Sequence, residues 1–393
     1  MNKKVFFEPI WEMRGGAKIV IENPPTGYEF VLAQHTEDKM IYTVAVKWNI
    51  THMVLSKVVN LIIPDMLLKS WLQRWRKPPL GAILTYGYEH VVFRPEPWII
   101  ELENASLLVG SRPVHFKLFK PILERALSSS HCKKIICWSE AGRRTIVEGL
   151  NSAKFQNKVE VVYYTVPVKD FIKNYNETNK KIKILFVGSQ AARPPFEMYG
   201  GVELLESYSL VRQRYDNVEL IIRSGIPEYV KAKYGNMDGL RIIENIIPRE
   251  VLEQEFQSAD IGVLPYHSTT PHTILEMMSY ELPVVGRKCW ANPEYIQDGV
   301  TGLLVQPSEK ISYYYKNTCH PNGASKKFRE AIKVPDMNVV KELAEKLILL
   351  IENPELRKRF GQAARYEVEH GRFSTKFRDD KLKRIFDEAT IGD

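Results

Sequence analysis

The residues with the clearest capacity for chemistry lie between 265 and 276, in the run PYHSTTPHTILE. Thr270 is a good N-cap and Pro271 suits a first helical position, so a helix is predicted to open there. A helix N-terminus presents unbonded backbone N–H groups and a partial positive charge, and so holds a phosphate. The N–H groups of Thr273 and Ile274 are the expected donors, with His272 in the same turn. Glu276 stands little more than one turn further on. It cannot favour a phosphate by charge, but it can accept two hydrogen bonds from the vicinal hydroxyls of a ribose. The pair therefore points to a nucleoside diphosphate lying across the carboxyl end of a parallel sheet. Ser268 and Thr269 either join this site or are polar loop residues. Taken alone, Glu276 would read as a solvated helix carboxylate.

The surrounding elements suit that placement. Asp260 to Pro265 is an apolar run of buried-strand type, and Leu282 to Val285 is a second. Ile184 to Gly188 is a strand followed by a glycine-containing loop and a helix, which again sets backbone amides near a phosphate. Gly188 and Ser189 fall at that turn, and Arg193 within the loop can supply a guanidinium. Further strands are expected at Lys4–Ile10, Tyr28–Ala33, Ile41–Val46, Ala82–Tyr86, Trp98–Leu102, Lys134–Trp138, Val159–Val166, Val218–Arg223 and Leu240–Ile247. Gly15 and Gly16 follow the first strand, either in an ordinary turn or where backbone approaches a ligand. The loops after two early strands carry His90 and Glu103. Residues 50–77 are helical in pattern, broken at Pro64, and their second half places Trp71, Leu72 and Trp75 beside Lys69, Arg74, Arg76 and Lys77. That is either an interfacial helix on an anionic membrane or a core-facing helix with a basic edge. Residues 310–336 read as a disordered surface insertion.

The stretch from Glu276 through Pro283-Val284-Val285 to PEYIQDGVTGLLV (293–305) resembles the donor half of GT-B glycosyltransferases of retaining family four, the glycosyl transferases group 1. The resemblance covers residues 181 to 390, and the first half by topology only. It implies an α/β chain with two Rossmann-like, doubly wound domains facing an interdomain cleft. The expected division is an acceptor-binding domain at 1–168, a linker at 169–183, a nucleotide-sugar-binding domain at 184–375 and a C-terminal helix at 376–393 crossing back to the first domain. Glu276 matches the family's second conserved-type glutamate. Three usual contacts differ: Ser268 replaces the first glutamate, and Ser189 and Tyr199 replace an arginine and a lysine on the donor pyrophosphate. Glu281 stands where a glycine usually ends the helix. Gly15 and Gly16 then fall where backbone approaches the donor phosphates or the acceptor. By position, Glu103 is expected to orient the acceptor hydroxyl or stabilise charge on the donor sugar, unless it pairs with Arg112 or Lys117. His90 is a second catalytic candidate.

Composition narrows the field. At 393 residues the chain suits two domains, and 44% hydrophobic with 26% charged residues is globular. The net charge of +8 is a mild basic bias that fits an anionic donor or membrane, and no nucleic-acid signature accompanies it. The four cysteines lack metal-site spacing and suit a reducing compartment. No signal peptide or membrane-spanning run is evident, so a cytoplasmic protein with peripheral membrane contact is expected. The expected function is transfer of a hexose-type sugar from a nucleotide-diphosphate sugar to a glycan or lipid-linked acceptor, retaining and independent of metal or other cofactor. The alternatives are a non-catalytic GT-B subunit that binds a partner or glycan, and a nucleotide-sugar epimerase.

Overall fold

The computed structural model describes residues 2–8, 16–32, 63–175, 181–189, 195–315, 318–323 and 325–391. The chain divides into two compact units, one of residues 1–163, 315–320 and 376–393, the other of residues 164–314 and 321–375. The expected strand at Ile41–Val46, the first part of the Ile50–Lys77 helix, Gly15 and Arg193 lie outside the described residues.

The first unit is built on a sheet whose described strands are β1 (Lys3–Glu8), β2 (Tyr28–Val31), β3 (Ala82–Tyr88), β4 (Trp98–Leu102), β5 (Cys132–Cys137) and β6 (Val159–Val161). They lie in the order β2-β1-β3-β4-β5-β6 and every pairing is parallel. Parallel neighbours need crossover connections, supplied among the described residues by α1 (Gly16–Glu22), α2 (Asp65–Leu72), α3 (Pro113–Ser128) and α4 (Glu140–Val147). Strand residues alternate between two cores, as a two-residue period demands. Trp98, Ile100 and Ile135 join Leu67, Leu123 and Ile146 on one face, while Ile99 and Ile136 join Val5, Tyr86 and Phe386 on the other. Phe386 belongs to the C-terminal helix Thr375–Thr390. Helix α4 opens where expected: the Ser139 Oγ accepts from the Gly142 N–H at 2.9 Å.

The second unit holds β7 (Ile182–Val187), β8 (Val218–Arg223), β9 (Leu240–Ile243), β10 (Ile261–Leu264), β11 (Val284–Arg287) and β12 (Gly302–Val305). Their order is β12-β11-β10-β7-β8-β9, all parallel. This is the doubly wound dinucleotide-fold order, and its topological switch lies between β7 and β10. Around it run α5 (Gly201–Arg212), α6 (Glu228–Tyr234), α7 (Arg249–Ser258), α8 (Pro271–Ser279), α9 (Asn292–Tyr295), α10 (Lys326–Ala331), α11 (Met337–Glu352) and α12 (Pro354–Glu369).

Three details go beyond the sequence reading. The stretch read as a linker is bound along the second unit as far as Tyr175: Arg365 donates to the Lys169 carbonyl at 3.0 Å, and the Tyr175 hydroxyl donates to Glu281 at 2.8 Å. Glu281 takes the left-handed conformation (φ 61°) that usually falls to glycine, and its carboxylate is occupied by Tyr175 with Arg365 3.6 Å away. The insertion is ordered where described, because Ile311, Phe328 and Ile332 close a small core with Met198.

Candidate donor site

The switch point of the second unit assembles the candidate site from strand ends. At the tip of β7, the Gly188 N–H donates to the Arg223 carbonyl at 2.8 Å and the Ser189 carbonyl accepts from Gly225 at 3.0 Å. A side chain at Gly188 would run into the Ser224 hydroxyl, so only glycine fits. Gly200 opens α5 at φ 68°, and a Cβ there would strike the Pro265 carbonyl. Tyr199, where the resemblance expects a lysine, is buried with its ring edge-on to Tyr266 at 4.7 Å. The Tyr266 hydroxyl in turn donates to the Val187 carbonyl. These tyrosines tie β7 to the loop after β10 and bring no positive charge.

The loop at 265–270 is held from beneath. Arg287, fully buried on β11, donates from Nε to the Pro265 carbonyl at 3.0 Å and from Nη2 to Glu203. His267 lies against the same Glu203 and shares a 3.0 Å hydrogen bond with the Tyr313 hydroxyl. Burial and Arg287 hold the His267 ring neutral, lowering it to about 4 against the pull of Glu203. Glu203 is kept ionised against its burial chiefly by Arg287. Asn292 donates to the Ser268 carbonyl at 3.2 Å, and the Thr269 hydroxyl accepts from the Ala291 N–H at 3.1 Å. Thr269 is thus a strut of the loop. Ser268 is half-buried at the loop's crest. Cys289 is buried, its thiol pushed up to about 12, which excludes it as a nucleophile at neutral pH.

Helix α8 begins at Pro271 as expected, though Thr270 makes no side-chain cap. The N–H groups of Thr273 and Ile274 both turn back to the Thr270 carbonyl, at 3.1 and 3.3 Å. They close the first turn, which corrects their reading as the phosphate donors. Glu276 is buried, and its carboxylate pairs with the Arg249 guanidinium from the start of α7. Arg223, the last residue of β8, lies close enough for Glu276 and Arg249 to act on it electrostatically. His272 is pushed towards the neutral ring by burial, with Arg249 and Lys169 reinforcing and Glu276 opposing. Its Nδ1 is buried without a hydrogen-bond partner among the described residues. Sequence reasoning missed Arg223 and Arg249. The signal was slight, an arginine ending one strand and another opening the next-but-one helix.

The other candidates sit in the first unit. Glu103 follows β4 and is half-buried. His90 does not stand as an accessible acid or base. It is 1% exposed and enclosed with Glu8 (3.4 Å), which Arg94 grips through both oxygens at 2.6 and 3.1 Å. Gly16 opens α1. Among the described residues no group of three or more His, Cys, Asp or Glu is placed to hold a metal ion, and no helix is long and apolar enough to cross a membrane.

Residues 181–316 match the family model described as glycosyl transferases group 1. No curated protein matches by sequence. Among solved structures, a glycosyltransferase from Rickettsia africae ESF-5 is similar over 100% of both chains at 12% identity, with a TM-score of 0.60. The Anabaena protein Alr3699/HepE, solved in complex with UDP-glucose, is similar over 98% of this chain and 99% of its own at 13% identity, with a TM-score of 0.57. The pneumococcal O-GlcNAc transferase GtfA, solved with UDP and GlcNAc, is similar over 75% of this chain and 53% of its own at 14% identity, with a TM-score of 0.50. The two parallel sheets, each of six strands among the described residues, are those of the GT-B fold.

Proposed function

We propose that this GT-B glycosyltransferase, whose second unit carries a group 1 domain, moves a hexose-type sugar from a nucleotide-diphosphate sugar to a glycan or lipid-linked acceptor with retention of configuration. The observation that carries the reading is the buried Glu276 carboxylate, held by the Arg249 guanidinium, on the helix that follows β10 at the β7/β10 switch point. Glu276 accepts the ribose hydroxyls. Arg249 and Arg223 supply the cationic contacts that Ser189 and Tyr199 do not, since charge-assisted bonds are the strong ones at phosphate. His272 offers its orphaned ring nitrogen to the donor. In the transfer the bond from the anomeric carbon to the diphosphate oxygen breaks, and its electrons leave with the diphosphate. The acceptor hydroxyl oxygen bonds to the anomeric carbon and its proton passes to the departing diphosphate. Two arginines neutralise that leaving group without calling on a metal. A uridine nucleotide is the first base to test, because HepE was solved with UDP-glucose.

The acceptor, in this reading, is met at an anionic membrane surface on the cytoplasmic side. Trp71 and Trp75 are 41% and 61% exposed, packed edge-on at 4.9 Å, with the Arg74 guanidinium over both rings. Aromatic rings beside cations suit a headgroup layer.

A second reading keeps the fold without turnover. It is favoured by two facts: Glu276 is already paired, and Ser268 offers no acid. A thermal-shift series with UDP, GDP, ADP and their sugars separates the two. Stabilisation by one nucleotide, lost in Glu276→Ala, is expected. The absence of any shift would overturn the transferase reading in favour of a binding subunit.

A further inference from the structure

The turn between β11 and α9 holds a tryptophan where the backbone favours glycine. Residues Cys289 to Asn292 form a tight turn, closed by the Asn292 N–H donating to the Cys289 carbonyl at 3.1 Å. Trp290 takes φ 48°, and Ala291 takes φ −91° and ψ 1°. Positive φ at the first central position followed by negative φ at the second is the type II′ pattern, which glycine fills because it carries no Cβ. Trp290 is the largest of the four non-glycine residues at positive φ among the described residues. Strain of this kind clusters at ligand sites. Glycine would satisfy the turn, so the indole needs a reason of its own.

The place of the ring supplies one. The Ala291 N–H donates to the Thr269 hydroxyl at 3.1 Å and the Asn292 side chain to the Ser268 carbonyl at 3.2 Å. Trp290 is thereby fixed beside the loop that follows β10. Tyr314 stands against it, the ring centroids 6.3 Å apart and the planes tilted by 50°. Tyr314 is 41% exposed and Trp290 half-buried, so the pair keeps aromatic surface open. Its neighbours hold Tyr314 there. Tyr313 stacks on His267 at 5.8 Å, its carbonyl accepts from the Asn322 N–H at 2.9 Å, and Tyr314 bridges to Pro321. The stretch read in sequence as a surface insertion thus sets one tyrosine under the donor loop and the next beside Trp290.

Strand order separates this pair from the nucleoside. Arg223 ends β8 and Arg249 opens the helix after β9, whereas Trp290 follows β11, on the other side of β10. A nucleoside diphosphate at Glu276, Arg223 and Arg249 occupies one end of the carboxyl edge, and the aromatic pair stands at the other. A pyranose has a face of C–H groups, and an indole presents a negative π face that such hydrogens meet favourably. Arg287 is engaged beneath the loop by Pro265 and Glu203, Lys288 is exposed and Glu294 half-buried, so acidic and neutral pyranoses are both admitted.

We propose that Trp290, with Tyr314 against it, is a stacking platform for a pyranose ring and a determinant of which sugar is accepted. The assignment rests on the transferase reading for the two rings that can reach it, the sugar of the donor or a ring of the acceptor.

The test is titration calorimetry on the full chain, as wild type, Trp290→Gly and Trp290→Phe. The ligands are UDP with UDP-glucose, UDP-N-acetylglucosamine and UDP-glucuronate, and GDP with GDP-mannose. Glycine removes the ring and relaxes the turn, so stacking is separated from backbone support. For at least one sugar nucleotide, the Kd relative to that of its own diphosphate should rise about fivefold or more in Trp290→Gly, while the diphosphate binds as before. Trp290→Phe, which keeps a ring, should lose less. That result gives the platform to the donor sugar. A second arm uses saturation-transfer NMR with cellotriose and chitotriose, without nucleotide. A wild-type signal lost in Trp290→Gly gives it to the acceptor. No difference between wild type and Trp290→Gly in either arm would overturn the platform. Equal weakening of a diphosphate and its sugar would overturn it too, leaving the indole as a support of the loop. Failure of every nucleotide to bind wild type would sink the transferase reading instead, and the oligosaccharide arm would then decide the platform alone.

Discussion

Replacing Arg249 by alanine gives a result whose sign, and not only its size, decides what the residue does. In the structure its guanidinium grips Glu276, the carboxylate assigned to the ribose. Arg249 could serve the donor diphosphate, or it could merely occupy Glu276 until a ribose displaces it. The Arg249 side chain is 45% exposed, so the pair itself stabilises by only about 0.2–1 kcal/mol. A charge-assisted hydrogen bond to phosphate is worth about 1.5–3 kcal/mol. If Arg249 reaches the diphosphate, Arg249→Ala loses that bond and recovers at most the small pairing term. The net loss is about 0.5–3 kcal/mol, or roughly two- to a hundredfold weaker UDP binding. Uridine has the ribose without the phosphates, so its affinity should stay unchanged or rise up to about fivefold as Glu276 is released. Isothermal titration of both ligands at low salt reads the contrast directly. Weaker UDP with unchanged uridine supports the assignment. Tighter binding of UDP and uridine together would refute it and leave Arg249 as a competitor for Glu276.

Three further outcomes are expected. Glu203→Ala strands Arg287 in a buried site, which should cost about 3–5 kcal/mol in chemical unfolding, whereas Glu203→Gln, which keeps an acceptor, should cost less. The Glu89 carboxyl is raised in the folded state, to about 8 from 4.5, so the unfolded chain ionises first; stability should fall as pH rises from about 4.5 to 8 and then level, and Glu89→Gln should flatten that part of the profile. Trp71→Ser with Trp75→Ser should reduce co-sedimentation with phosphatidylglycerol-containing vesicles several-fold while leaving UDP-induced stabilisation intact. Equal sedimentation of wild type and variant would remove the membrane reading.

Much of the architecture was legible because parallel sheets buried on both faces leave short apolar runs in sequence. Trp98–Leu102 and Val218–Arg223 were read to the residue, and the helix at Pro271 was placed by turn chemistry alone. Edge elements were less legible. Val159 to Val166 reads as one strand, yet only Val159–Val161 pairs with β5, because propensity registers extended backbone and says nothing of a neighbour. The ordered part of the insertion was missed for a similar reason. Phe328 and Ile332 are single apolar residues in polar surroundings, and their core with Met198 is formed across more than a hundred residues of chain.

The donor site shows the same limit in its charges. Read along the chain, Ser189 and Tyr199 are two missing cations, and the site looks impoverished. In three dimensions the carboxyl edge of one sheet collects residues from four separate turns, so a positive charge lost after β7 can be supplied after β8 or ahead of α7. Arg223 and Arg249 stand in those places. Tyr199 packs edge-on against Tyr266, whose hydroxyl holds the Val187 carbonyl, and so steadies the loop bearing Ser268. What the diphosphate requires is net positive charge within reach, and Coulomb attraction is indifferent to which turn provides it. Motif matching tests residue types at fixed positions, so it registers the two losses and has no means to register the gains. In the proposed reading the candidate site is less depleted than its motif, and the titrations of Arg249→Ala with UDP and uridine test that directly.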